Sequence, residues 1–214
     1  MGRLLTSLFT ISDEQLMWRV KLQDDALAFT KLVRRWELPI RRLCLRMTGD
    51  AHRAEDLTQM AFTRVFTRRA DWEPVGKFST FLWRVALNLC HDEARQQQRR
   101  REFSLDALED ADGGGETRFV ADEPAPDAHA ETQERGEQVR RALAELLPQY
   151  REVVVLRHYE GLKFREIGEV LGIPEGTVKS RMAEALGQLN RRLNHLNEEN
   201  VCNHKNHHHA VQQR

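Results

Sequence analysis

No stretch of this chain stays apolar for long. Its uninterrupted hydrophobic runs reach about four residues, against the roughly 20 that cross a bilayer, so no membrane-spanning helix is expected. The opening "LLTSLFTI" is broken by Thr6 and Ser7 and lacks a small-residue cleavage site. It reads poorly as a secretory signal, and the expected location is the cytoplasm. Cysteine is scarce, with only Cys44, Cys90 and Cys202. An odd number at wide spacing argues against a disulfide framework and suits a reducing compartment. Cys44 and Cys90 fall within apolar helical patterns and are expected in a core.

Sustained period-two alternation is missing as well, whereas a 3.6-residue apolar period recurs through most of the chain, which makes it all-α. A glycine-rich phosphate loop, GxSxG, HExxH and paired CxxC are all absent. Without such a constellation no catalytic residue, cofactor or metal site is expected, and the chain is not read as an enzyme. Net charge vanishes only as a sum, 33 Lys/Arg against 33 Asp/Glu. Residues 1–102 hold 19 basic against 13 acidic residues, 103–137 hold 2 against 11, and 138–214 hold 12 against 9. Two basic units flank an acidic connector, an asymmetry suited to two contacts with a polyanion.

The helices group accordingly. Ser12 followed by Gln15 has the spacing of a capping box. "DDALAFTKLVRRWELPIRRLCLRMTGD" reads as two helices meeting near Pro39 and ending at Gly49, "HRAEDLTQMAFTRVFTRR" as a further helix, and "FSTFLWRVALNLCHDEARQQQRRR" as a long one. These form a first domain, 1–102. Residues 103–137, with "GGG" and "EPAP", read as a flexible linker. Four short helices follow in a second domain, 138–196, and the tail 197–214 reads as disordered.

The second domain carries "FREIGEVL" and "EGTVKSRMAEAL" on either side of Gly172 and Pro174. A short helix, a glycine-containing turn and a longer helix match the helix-turn-helix, whose second helix enters the major groove. Gly172 is expected to close the first helix in the left-handed conformation, with Pro174 at the start of the second and Thr177 helping to cap it. Val178, Met182, Ala185, Leu186, Leu189 and Leu193 would form the buried face. Gly176, Ser180, Ala183, Glu184, Gly187 and Arg191 would face outward, flanked by Lys179 and Arg181. Small outward residues let a backbone approach its target closely, and cations suit phosphates. A purely structural four-helix domain shares this pattern.

On the long helix, Phe81, Leu82, Val85, Ala86 and Leu89 are expected inside. Trp83, Arg84, Leu87, Asn88, His91 and Arg95 fall on the other side. An exposed ring beside cations and an amide suits single-stranded nucleic acid, where stacking on one base contributes about 1 to 3 kcal/mol. A partly buried core tryptophan is the competing reading. On the helix that carries "AEDLTQMAF", Leu57, Ala61 and Val65 point inward and Asp56 and Gln59 outward, either to solvent or to a docking protein. Cys202, His204, His207, His208 and His209 in the tail have donors for borderline metals, but an unstructured cluster binds metal loosely.

Together these residues resemble the sigma-70 family of bacterial transcription initiation factors, in its two-domain extracytoplasmic function (ECF) branch. The likeness runs from about Ala26 to Leu193: "AEDLTQMAF" is similar to region 2.2, "KFSTFLWRVALNLCHDEAR" to regions 2.3 and 2.4, and "LPQYREVVVLRHYEGLKFREIGEVLGIPEGTVKSRMAEAL" to region 4. The resemblance implies binding to core RNA polymerase through its β′ clamp and β subunits, with Asp56 and Gln59 on the clamp helices. It implies minus-ten DNA contacts by Phe78, Ser79, Thr80, Trp83, Arg84, Asn88, His91 and Arg95, with the loop Glu73 to Thr80 enclosing a flipped base. It implies minus-35 contacts by Lys163, Arg165, Thr177, Lys179, Ser180, Arg181 and Glu184, an acidic connector threading the polymerase cleft, and an anti-sigma partner. Met60 stands where relatives often carry an acid, and Glu184 where they carry a base. A sigma mimic that sequesters an anti-sigma factor and a conventional helix-turn-helix regulator are the alternatives. The retained Lys179 and Arg181 disfavour the first, and the single-strand chemistry on a separate domain disfavours the second.

Overall fold

The computed structural model describes residues 11–73, 76–107 and 130–211, and every regular element among them is helical. The chain forms two compact units. The first carries α1 (Asp13–Gln23), α2 (Ala26–Thr48), α3 (Ala51–Thr67), a single 3-10 turn (Arg69–Asp71) and α4 (Phe78–Ala107). The second carries α5 (Ala130–Ala144), α6 (Pro148–Val154) opening into a π-helical turn (Val155–Tyr159), α7 (Phe164–Leu171) and α8 (Glu175–Val211). Residues 108–129, the centre of the expected linker, lie outside the described residues, as do Pro74 and Val75 of the loop before α4.

Helix starts in the first unit follow from short polar side chains placed ahead of apolar periods. Ser12 and Gln15 form the expected capping box, with Gln15 N–H donating to Ser12 Oγ at 3.2 Å and Ser12 N–H donating to Gln15 Oε1 at 3.1 Å. Asp25 accepts from Ala28 N–H at 2.9 Å, and Asp50 accepts from Arg53 N–H at 3.0 Å. Each satisfies an amide that the helix itself leaves without a partner. Gly49 closes α2 at φ 75°, a conformation that costs glycine nothing. α4 is capped from a distance: Phe78 N–H donates at 3.2 Å to Glu14 Oε1 on α1.

α2 is one helix with Pro39 inside it, not two helices meeting there. Proline in a helix interior costs about 3 kcal/mol through a lost hydrogen bond and a steric clash. Leu32, Ile40, Leu43 and Cys44, on both sides of Pro39, are fully buried. Each such aliphatic side chain contributes roughly 1.5 to 3 kcal/mol, so their packing exceeds the proline penalty and keeps the helix continuous. Cys44 and Cys90 are free, buried thiols of this core. Hydrogen bonding to Cys44, then burial, pushes the Cys90 thiol well up, so it stays protonated.

Ala28 N–H, and then Arg19 at 2.6 Å, hold the Asp25 carboxyl below its ordinary value, against an opposing contribution from burial. A depressed carboxyl pKa contributes stability that is complete above its unfolded value, near 3.9, and disappears as pH falls through the folded value. Asn caps a helix nearly as well but carries no charge. The melting temperature of the native chain should therefore exceed that of Asp25→Asn at neutral pH, and the two should converge below about pH 4. All four tryptophans (Trp18, Trp36, Trp72 and Trp83) lie in this unit, so their fluorescence reports its melting in the intact chain. A gap between the two curves that persists in acid would exclude this charge effect.

In the second unit Leu143, Leu146, Val153, Leu156, Ile167, Val178, Met182 and Ala185 are buried together. Arg151 secures the α5–α6 turn. Its guanidinium donates to the carbonyls of Leu143 at 2.9 Å, Ala144, and Leu146 at 3.0 Å, at and just beyond the end of α5. Burial pulls the Arg151 pKa down. Gly161 and Gly172 take φ values of 70° and 68°. Gly172 thus ends α7 in the left-handed conformation expected of it. α8 is helical to Val211, where the sequence carries no periodicity; the side chains beyond Asn194 and residues 212–214 lie outside the described residues.

Candidate nucleic-acid interfaces

α4 is packed by α1, α2 and α3, and therefore buries more than a single stripe. Phe78, Leu82, Ala86 and Leu89 are buried, as are Trp83 (4 % exposed) and Leu87 (2 % exposed). Trp83 is accordingly not the exposed ring that the sequence suggested. Trp36 of α2 meets it edge-on, with ring centroids 5.6 Å apart at 84°, and also meets Phe78 at 6.4 Å. Trp36 is itself held by donating its indole N–H to Asp13 at 2.9 Å. A three-ring cluster joins α2 to α4, and the indole of Trp83 is removed from water because a second aromatic helix face was available to cover it.

What α4 leaves outside is polar. Arg84, Asn88 and Arg95 are exposed, His91 is half-buried, and Ser79 and Thr80 are half-buried at its start. Positions 84, 88, 91 and 95 recur at intervals of four, three and four residues, so they share one face over about 16 Å of helix. The aromatic part of the expected strand-binding chemistry is missing from this stripe, while its cations and amide remain.

α3 buries Leu57, Ala61, Phe62 and Val65 and turns Asp56, Gln59 and Met60 outward. Arg53, Asp56, Gln59, Met60 and Arg64, with Glu93 of α4, line an open groove of about 700 Å³. Arg53 reaches Glu93 across it at 3.5 Å. Met60, 49 % exposed, adds an apolar group beside the carboxylate and the amide, so the groove is of mixed polar and apolar character.

The helix-turn-helix depends on a residue that sequence reading passed over. A Cβ on Gly168 would lie 2.8 Å from the carbonyl oxygen of Ile173, and Ile173 N–H donates to Gly168 O at 3.1 Å. Only glycine lets the turn fold back this closely on α7. The one available signal was a glycine in the middle of a strongly amphipathic helix.

On α8, Gly176, Lys179, Ser180, Ala183 and Glu184 are exposed, as expected, but so is Leu186 at 47 %. Leu186 lies beyond the arc that the neighbouring helices cover and is not part of the core. Arg181 turns inward and meets the buried Glu152 of α6 at 3.2 Å. Glu152, between Arg151 and a run of three valines, offered no sequence signal for this pair. Thr177 sits in the first turn of α8, past the cap position, and its carbonyl accepts from Ser180 Oγ at 3.0 Å. Lys179 pairs with Glu175 at 2.7 Å, and Glu184 accepts from Gln188 at 2.9 Å with Arg191 at 3.7 Å. Lys163 and Arg165 are exposed at the start of α7, where Lys163 N–H donates to Glu166 at 2.9 Å. Among the described residues, no group of three or more His, Cys, Asp or Glu is placed to hold a metal ion, and no helix is long and apolar enough to cross a membrane.

The family model for Sigma-70 region 2 matches residues 32–100, and that for Sigma-70, region 4, matches residues 136–189. The ECF RNA polymerase sigma factor SigW of Bacillus subtilis is 36 % identical over 177 residues, a match covering 81 % of this chain and 93 % of that protein. The ECF RNA polymerase sigma factor SigE of Mycolicibacterium smegmatis is 38 % identical over 163 residues, covering 76 % of this chain and 60 % of SigE. The solved sigma factor RpoE, in complex with the anti-sigma factor NepR from Bartonella quintana, shares the fold with a TM-score of 0.62 at 21 % identity, covering 78 % of this chain and 96 % of RpoE.

Proposed function

This chain belongs to the sigma-70 family as an ECF RNA polymerase sigma factor, and from that premise we propose how its residues divide the work. It is a promoter-specificity subunit: it joins core RNA polymerase, selects promoters and promotes melting, while the polymerase performs the chemistry. Residues 1–102 form the docking and minus-ten unit, 138–196 the minus-35 unit, and 103–137 the connector between them.

Asp56 and Gln59 dock on the polymerase clamp from the α3 groove. Arg84, Asn88, His91 and Arg95 track the melted strand along α4, with the hydroxyls of Ser79 and Thr80 at its head. Melting requires no energy source if the unit binds unpaired bases better than the duplex, since extruding a base costs only a few kcal/mol. Trp83 and Phe78 support this stripe from behind.

The observation that carries the reading is the small-residue, exposed face of α8 set on a glycine-tightened turn. Lys179 can leave Glu175 for a phosphate at little cost, because an exposed helical ion pair is worth only about 0.3 to 0.5 kcal/mol. Lys163 and Arg165 add phosphate contacts, and Ser180 and Glu184 face the groove. Arg181 fastens α8 to α6, which sets the angle of the helix rather than touching DNA. An anti-sigma protein is the proposed regulator, by analogy with the RpoE complex.

Transcription from a promoter library with purified core polymerase tests the whole reading, since initiation must depend on adding this chain. Glu184 tests its specificity. A carboxylate accepts from cytosine N4, and one matched base contact contributes roughly 1 to 3 kcal/mol of discrimination. Glu184→Arg should shift the preferred minus-35 base toward guanine, by tenfold or more in promoter competition. An unchanged preference would remove Glu184 from the groove.

A further inference from the structure

Cys44 of α2 and Cys90 of α4 are free thiols, 0 % and 3 % exposed, and neither lines the α3 groove or the polar stripe of α4. Their side chains meet in a hydrogen bond inside the core. We propose that the two thiols form a reversible oxidation site, which hydrogen peroxide closes into a disulfide that ties α2 to α4.

The helix register supports this pairing independently of the thiols. Trp36 and Trp83 meet with ring centroids 5.6 Å apart, and Cys44 and Cys90 lie eight and seven residues further along α2 and α4, about two turns on each helix. Both contacts therefore fall on one seam between helices that run in the same direction. Packed helices stand roughly 8 to 10 Å apart with Cα atoms about 2.3 Å from each axis, so facing Cα atoms come within the roughly 4.4 to 6.8 Å that a disulfide spans. Thr58 of α3, itself buried, closes a further side of the pair.

The two sulfurs are not equivalent. Hydrogen bonding with Cys90, opposed by burial, holds the Cys44 thiol below its ordinary value, whereas Cys90 stays protonated. The thiolate is the nucleophile, which makes Cys44 the first to react. Its sulfur attacks one peroxide oxygen, the O–O bond breaks, and the departing hydroxide takes up the proton that Cys44 had released, leaving a sulfenic acid and one water. The Cys90 sulfur then attacks Cys44 Sγ, the S–O bond breaks, and hydroxide leaves as water with the Cys90 proton. Two thiols and one peroxide thus become one disulfide and two waters. Hydrogen peroxide is close to water in size and reaches this core through local opening of the unit, so the reaction is slow. Where thiols are ordinarily kept reduced, such a bond is transient and redox-sensing, not structural.

The test uses full-length Cys202→Ser, which leaves only this pair of thiols. Hydrogen peroxide at pH 7.5, followed by alkylation under denaturing conditions and peptide mass spectrometry, should give an intramolecular link between residues 44 and 90. The link should raise the melting temperature followed by tryptophan fluorescence by roughly 10 °C, because it constrains the unfolded chain, and dithiothreitol should reverse the rise. Cys90→Ser in the same background should stop at a sulfenic acid on Cys44 that dimedone traps. Two thiols still fully alkylated, at a peroxide exposure that links them in the urea-unfolded chain, would overturn the proposal. So would a link that lowers the melting temperature, because it would then form only at the expense of the α2–α4 packing.

Discussion

Trp83→Ala should lower the stability of the first unit by about 3 to 5 kcal/mol, the usual cost of truncating a buried large aromatic. The substitution removes the ring that Trp36 meets edge-on and leaves a cavity between α2 and α4 that neither helix can collapse into without losing its own packing. Since a domain is stable by only about 5 to 15 kcal/mol, such a loss unfolds a measurable fraction at growth temperature. Fluorescence of the remaining Trp18, Trp36 and Trp72 should show a melting temperature well below that of the native chain, and Trp83→Phe should recover part of it. Closed and open promoter complexes should decline together, in proportion to the unfolded chain. If melting is unchanged and only open complexes are lost, the ring must contact DNA directly and this account of its burial fails.

Gly168→Ala should have the reverse of its usual sign. In an ordinary helix interior, replacing glycine with alanine stabilises by about 0.8 to 1 kcal/mol. Here the added methyl would meet a backbone carbonyl at 2.8 Å, and backbone cannot move aside as a flexible side chain can. Overpacking of this kind costs typically 1 to 3 kcal/mol, more than the propensity gain. The turn would open, the Ile173–Gly168 hydrogen bond would lengthen, and α8 would swing away from its angle. Tyr150 and Tyr159, the chain's two tyrosines, both lie in the second unit, so their emission follows its melting. Minus-35-dependent transcription should fall by at least about tenfold, equivalent to ~1.4 kcal/mol. Gly176→Ala, where nothing lies within 4 Å of the added methyl, should leave the melting temperature unchanged or raised. A stabilised Gly168→Ala with full minus-35 use would show that the turn does not need its close approach.

The two substitutions sit on opposite sides of what a sequence conveys. Helix periods, the Ser12–Gln15 capping box and the Gly172 terminator depend on neighbours within four residues, and they were legible. So was the outward set on α3, because Asp56 and Gln59 interrupt a clear apolar period. Pro39 misled because propensity is local, whereas the burial of Leu32, Ile40, Leu43 and Cys44 that overrides it is supplied by other helices. Trp83 misled for the same reason: a helix contacted by three others buries a wide arc, and one helical wheel cannot reveal how many neighbours it has. Gly168 and the Arg181–Glu152 pair were missed because each acts across a turn or between helices.

By itself, the sequence of this protein determined an all-α chain with two basic helical segments and an acidic stretch between them, a helix-turn-helix with its terminator, and membership of the sigma-70 family. Those properties are set by composition, by periodicity and by the order of short motifs, all of which are one-dimensional. Tertiary structure alone decided which side of α4 faces solvent, that Trp83 is core, that Arg181 holds α8 instead of reaching outward, and that Gly168 must be glycine. Each of those depends on which surfaces are brought within contact distance, and burial is a property of neighbours in space.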